Sequence, residues 1–219
     1  MAKISTKKFD QIFSYFIELY PNAQTELNFD NGFQLLVAVA LSAQATDKQV
    51  NKVTASLFQK VKKPEDILQM GFENFEQSIK SIGLYKSKAR NLRKTAQILA
   101  QGDGVIPDTQ DELVKLPVEK TAKVILHVLY HQPVIAVDTH VHRICNRLGI
   151  VKTAQPLQTS KLLETLIPNQ YKQIAHHAMI LFGRYFCTAR NPKCADCKLQ
   201  EICRYYKDLP KTKTSQKNR

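Results

Sequence analysis

The chain has 219 residues, enough for one substantial core or two small ones, and its longest apolar run, Leu35 to Leu41, is far too short to cross a bilayer. With 32 Lys and Arg against 19 Asp and Glu the formal net charge is +13, an excess that favours a polyanionic partner, because each neutralised phosphate releases condensed counterions. The first ten residues, MAKISTKKFD, hold no apolar stretch of the kind that directs secretion, so the five cysteines are expected to be reduced thiols in a cytoplasmic protein.

Apolar residues recur at helical spacing along most of the chain. Phe9, Ile12, Phe13, Phe16, Leu19 and Tyr20 mark a first helix that Pro21 ends. A second runs from about Phe33 to Ala43 and is apolar on all sides, which predicts a central, buried element. Asp47 is expected to cap a third helix carrying Val50, Val53, Leu57, Phe58 and Val61, and Pro64 fits the first position of a short fourth. Phe72, Phe75, Ile79 and Ile82 form another stripe ending near Gly83. A basic amphipathic helix is predicted from about Ser87 to Ala100, broken by Gln101-Gly102-Asp103-Gly104. Thr109 and Glu112 have capping-box spacing. Helices are then expected at about Lys120–Tyr130, Thr139–Leu148, Thr159–Leu166 and Tyr171–Phe186. Val134 to Val137 is the sole β-rich run, too little for a sheet. The fold class is all-α. After Pro210 no apolar residue occurs, and the basic segment 211–219 is expected to be a disordered tail.

Four of the cysteines form a ladder, Cys187, Cys194, Cys197 and Cys203, spaced C-x6-C-x2-C-x5-C. Four thiolates on short loops suit a tetrahedral metal or an iron–sulfur cube. A structural zinc site usually has two tight pairs or recruits histidines, and here only Cys194 and Cys197 are tightly paired, so a [4Fe-4S] cluster is the favoured reading over zinc. Two disulfides would need an oxidising compartment. The loop inside the ladder, from Thr188 to Lys193, is polar and basic. Cys145, the odd thiol, reads as a buried structural residue. His140 and His142 point to different sides of a helix, so they are not read as metal ligands.

Two further stretches look chemically loaded: Leu116-Pro117-Val118-Glu119-Lys120-Thr121-Ala122 and Val137-Asp138-Thr139-His140. On residue types alone they are ambiguous, because lysine near a helix start is usually a solvated charge and aspartate there is usually a cap. Together with Thr25-Glu26-Leu27-Asn28-Phe29, Leu41-Ser42-Ala43-Gln44-Ala45-Thr46-Asp47, Ile82-Gly83-Leu84-Tyr85 and the cysteine ladder, however, they give nearly the whole chain a resemblance to the endonuclease III family of helix-hairpin-helix DNA glycosylases.

That resemblance implies base-excision repair: removal of oxidised pyrimidines from duplex DNA, with cleavage 3′ to the resulting abasic site. It implies two helical domains with a DNA cleft between them. One is a six-helix barrel over 25–133, and the other joins 1–24 to 134–210 and holds the [4Fe-4S] cluster on Cys187, Cys194, Cys197 and Cys203. It makes Lys120 the amine that attacks the sugar, which requires a neutral lysine well below its usual pKa of ~10.4, and Asp138 the carboxylate that assists proton transfer. Gln44 would fill the gap left by the extruded nucleotide and Leu84 would wedge beside the orphaned base, offsetting part of the unstacking energy. Val118, Glu119, Thr121 and His140 would contact DNA, with Arg190 and Lys193 presented to phosphate. The expected partner is double-stranded DNA, and a monomer is the default state.

One departure is plain. The family's hairpin reads L-P-G-V/I-G-x-x-T-A, and here Leu116-Pro117-Val118-Glu119-Lys120-Thr121-Ala122 lacks both glycines and is two residues shorter. Those glycines permit positive φ and expose N–H groups to a phosphate. The expectation is weaker phosphate anchoring, which restoring the glycines and measuring affinity at several salt concentrations would test. Three rival readings follow. A non-catalytic DNA-binding homologue fits the shortened hairpin. An adenine glycosylase relative would be expected to carry a further C-terminal domain and to lack Lys120. An electron carrier would need neither Lys120 nor Asp138.

Overall fold

The computed structural model describes residues 5–118 and 122–210. Glu119, Lys120 and Thr121 lie outside the described residues, as does the basic segment after Pro210. Among the described residues the chain is helical and no strand forms: α1 Thr6–Leu19, α2 Gly32–Ser42, α3 Asp47–Leu57, α4 Pro64–Met70, α5 Phe72–Ser78, α6 Tyr85–Gln101, the single turn α7 Gln110–Leu113, α8 Ala122–Tyr130, α9 Thr139–Arg147, α10 Pro156–Leu166, α11 Asn169–Leu181 and the short α12 Arg204–Lys207. A π-helical turn, Phe182–Phe186, continues α11, and a 3-10 turn, Gln200–Ile202, precedes α12.

The chain divides into two compact units, Thr25–Val134 and the remainder, each with its own core. In the Thr25–Val134 unit, α2 is the buried centre, with Phe33 to Leu41 all withdrawn from solvent. Its one polar core residue, Gln34, is fully satisfied. Its Nε2 donates to Phe58 O and Val61 O, and its Oε1 accepts from Asp30 N at 2.7 Å. A buried amide is tolerable only when its donors and acceptor are so matched. In the other unit the stripe of α1 packs on α11 and the π turn through aromatic rings. Phe13 stacks on Tyr171 and Phe16 meets Phe182, both at 4.7 Å between centroids.

Several helix boundaries differ from the sequence pattern, each for a local reason. Thr46, not Asp47, caps α3, accepting from Gln49 N at 3.2 Å, and Asp47 becomes the first helical residue, still favourable to the dipole. Thr109 and Glu112 form no capping box, because the Thr109 hydroxyl donates directly to Glu112 Oε2 at 2.9 Å. α10 starts at Pro156, before Thr159, because Gln158 Oε1 accepts from Ala154 N and Gln155 N ahead of it. α6 starts at Tyr85, with Leu84 as a left-handed cap residue.

Candidate active site and cluster centre

Asp138 opens α9. Its Oδ1 accepts from Val141 N at 2.8 Å, a cap that fixes the carboxylate at the positive end of the helix. One turn on, Arg143 Nη2 donates to Gly183 O at 2.7 Å and to His140 Nδ1 at 3.2 Å. A guanidinium can only donate, so Nδ1 of His140 accepts and its Nε2 carries the proton. Gly183 makes this approach possible, since a Cβ there would lie 2.9 Å from the Cβ of His140. Two other polar side chains of α9 are tied down as well: His142 Nδ1 pairs with Thr159 Oγ1 at 2.7 Å, and Asn146 Nδ2 donates to His142 O. His142 therefore serves the interior of its unit.

In the Thr25–Val134 unit, Gln44 and Leu84 are exposed and both adopt left-handed backbone, with φ of 60° and 58°. Leu84 stands out as a large apolar side chain left 62% exposed, so it contributes nothing to the core of its unit. A non-glycine residue in this conformation costs of order 1–3 kcal/mol and persists only where the surroundings impose it. Val118 is half-buried and packs against this unit's core. Lys120, Glu119 and Thr121, expected to carry the reaction and to touch DNA, fall outside the described residues.

Cys187, Cys194, Cys197 and Cys203 line one cavity together with Leu148, Phe182, Phe186 and Tyr205, and none is in a disulfide. Burial pushes the thiols of Cys194, Cys197 and Cys203 up from their ordinary pKa, and neighbouring cysteines push each further. Thiolates gathered here need a positive centre. The lining offers four sulfur donors among mainly apolar and aromatic side chains, with no histidine or carboxylate, a donor set that suits an iron–sulfur cube.

Arg147 frames this cavity. Its guanidinium donates to Cys187 Sγ at 3.3 Å, Thr188 O at 2.7 Å and Ala189 O at 3.0 Å, and lies 4.3 Å over the Tyr205 ring. The loop so held exposes Arg190 and Lys193. Cys145 is fully buried against Met179, and burial raises its pKa far above the usual range, as befits an inert core thiol.

A family model described as HhH-GPD superfamily base excision DNA repair protein matches residues 37–169, and another, the iron-sulfur binding domain of endonuclease III, matches residues 187–203. The chain is 47% identical over 191 residues to the endonuclease III of Bacillus subtilis, an overlap of 85% of this chain and 87% of that protein. The chain belongs to the endonuclease III family. It is 44% identical to the Escherichia coli K12 protein over 188 residues, 84% of this chain and 89% of that one. A solved structure of a trapped endonuclease III–DNA covalent intermediate superposes with a TM-score of 0.87 at 43% identity, covering 93% of this chain and 98% of that chain. A thermostable thymine-DNA glycosylase, 22% identical with a TM-score of 0.82 over 93% of this chain and 98% of its own, shares the fold. As a member of the family, the protein is a base-excision repair enzyme, a DNA glycosylase and abasic-site lyase, and it carries a [4Fe-4S] cluster.

Sequence reasoning gave no role to Arg143, Arg147 or Gly183. A faint signal existed for the first two, since Arg143 and Arg147 are four apart and share a helix face. None existed for Gly183, whose role is set by a neighbouring helix distant in sequence.

Proposed function

We propose that the protein removes oxidised pyrimidines from duplex DNA with Lys120 as nucleophile and Asp138 as the supporting carboxylate. The Lys120 amine attacks C1′ of the damaged nucleotide, the C1′–N bond breaks, and the base departs with a proton. The attached nitrogen loses a proton, the C1′–O4′ bond breaks with O4′ taking up a proton, and an iminium forms. C2′ then loses a proton, its electron pair passes into the iminium to give an enamine, and that pair expels the 3′ phosphate as the C3′–O bond breaks. Asp138 stabilises positive charge developing on the sugar and moves the proton. The observation that carries this reading is the cap at the start of α9, where Oδ1 of a half-buried carboxylate accepts from Val141 N and so fixes the orientation of the group.

Gln44 and Leu84, exposed on left-handed turns, enter the stack, one at the vacated position and the other beside the orphaned base. Cys187, Cys194, Cys197 and Cys203 hold the cluster, which when bound ties the C-terminal loop to α9 and presents Arg190 and Lys193 to phosphate. His140, donating from Nε2, and the segment Val118, Glu119 and Thr121 meet the backbone of the duplex. We read the six-helix barrel as falling within the Thr25–Val134 unit and the cluster domain as the other, a reading supported by their separate cores. No helix among the described residues is long and apolar enough to cross a membrane. We read the protein as a monomeric cytoplasmic enzyme acting on the chromosome, a reading its net charge of +13 supports. A second reading, a DNA-binding homologue of reduced activity, is favoured by one specific feature, the absence of both hairpin glycines between Pro117 and Thr121.

The test is Asp138→Asn. Asparagine caps a helix as well as aspartate does, so stability should change by no more than a few tenths of a kcal/mol. Base release from an oxidised-pyrimidine duplex should nevertheless fall by about a hundredfold, the low end of general acid–base contributions. Unchanged release at unchanged stability would assign Asp138 to capping alone.

A further inference from the structure

Among the described residues of the Thr25–Val134 unit, one lysine is withdrawn from solvent. Lys88, on α6, is 9% exposed, and burial lowers the pKa of its amine. Its Nζ donates to Leu41 O at 2.8 Å and Ala43 O at 2.5 Å. These are terminal carbonyls of α2, groups that no further helical N–H satisfies, at the negative end of the helix dipole where a cation is favoured. Ala43 immediately precedes Gln44. Lys88 itself sits one turn beyond Leu84, its N–H bonded to Leu84 O at 3.1 Å. The ammonium therefore bridges the turn that presents Gln44 and the helix start that presents Leu84.

Two other contacts bring the same turns together. Gln49 Nε2 donates to Ser81 O, and a Cβ on Gly83 would stand only 3.8 Å from Gln44 O. Neither contact fixes the carbonyls next to Gln44. Among the described residues the Lys88 bonds hold the carbonyls of Leu41 and Ala43, and both turns carry a strained left-handed residue that needs external restraint.

We propose that Lys88 is a positioning residue that couples the Gln44 turn to the Leu84 turn, so that the two side chains enter the duplex as one rigid pair. The proposal rests on the reading of Gln44 and Leu84 as duplex-entering residues. Its consequence is a specific pattern of non-additivity: if Lys88 acts through those two side chains, removing it is harmless once they are gone.

The experiment is a mutant cycle read by single-turnover base release from a duplex with one oxidised pyrimidine. It compares the wild type, Lys88→Met, the double variant Gln44→Ala with Leu84→Ala, and the triple variant. Lys88→Met should slow release about tenfold in the wild-type background, what one lost charge-assisted hydrogen bond is worth in rate. In the double-variant background it should slow release by less than about twofold. An equal loss in both backgrounds would assign Lys88 to general stability and overturn the coupling, as would no loss in the wild type. If the double variant releases base as fast as the wild type, the duplex-entering reading fails and the coupling with it, an outcome visible before Lys88 is touched. Should Lys88→Met not fold, Lys88→Gln, which keeps a donor on a shorter arm, enters the same cycle and is judged by the same two ratios.

Discussion

Replacing Arg147 with Met keeps the apolar stem and removes every donor from the cluster loop. In the native protein the guanidinium makes bonds of 2.7 Å to Thr188 O and 3.0 Å to Ala189 O, and a longer one to Cys187 Sγ. A charged donor to a neutral acceptor is worth roughly 1.5–3 kcal/mol, and a guanidinium half open to solvent delivers about half of that. The two short bonds then contribute about 2 kcal/mol. The ring of Tyr205, 4.3 Å below the guanidinium carbon, adds roughly 0.5–1 kcal/mol. A loss of about 3 kcal/mol should lower the melting midpoint by roughly 6–12 °C for a protein of this size. Far-UV circular dichroism gives that midpoint, and the visible absorption of the cluster during the same ramp reports when iron is released. Arg147→Lys, a point charge unable to span Thr188 O and Ala189 O together, should fall between the two. A variant that melts within about 2 °C of the wild type, with its cluster bleaching at the same temperature, would show that Arg147 does not hold the loop.

Two further outcomes follow from particular contacts. Gly183→Ala puts a methyl 2.9 Å from His140 Cβ and 3.4 Å from its Cα, so α9 must shift at a cost of about 1–3 kcal/mol; chemical denaturation checks this, and an unchanged midpoint would mean that the helices are not in the close contact described. His127 is buried in α8 with Nδ1 against Val134 O at 3.1 Å, and burial holds its pKa below the usual ~6.5 despite that bond. Between the two values the unfolded chain binds a proton that the folded chain does not, so stability falls as pH drops from about 6.5 toward the folded value and is insensitive to this group above it. His127→Asn should flatten that acid limb in urea midpoints taken across the range, and parallel curves for the two proteins would contradict the assignment.

Much of the architecture was legible because it rests on period and punctuation. The all-round apolar run of α2 marked its burial, and Pro21 and Pro64 marked real boundaries. What misled were the starts of α3, α6 and α10, where Thr46, Leu84 and Gln158 settle the boundary through hydrogen bonds or a left-handed turn that residue type alone does not select. At the candidate site, motif resemblance alone singles out Gln44 and Leu84, since neither residue type favours the strained backbone each adopts. Lys88 and Arg147 were illegible for a different reason. In a chain with a net charge of +13 a basic side chain looks like one more solvated charge, and only tertiary contact shows that these two are spent on carbonyls and on a thiol ladder.

Under the proposed function, the amine of Lys120 forms a covalent adduct with the sugar although the segment before it lacks both hairpin glycines. Borohydride reduction in the presence of abasic-site duplex converts the iminium into a stable amine. The wild type should yield a cross-linked protein–DNA band whose modified peptide contains Lys120, and Lys120→Ala should yield none. No cross-link from the wild type, or an equal one from Lys120→Ala, would contradict the account.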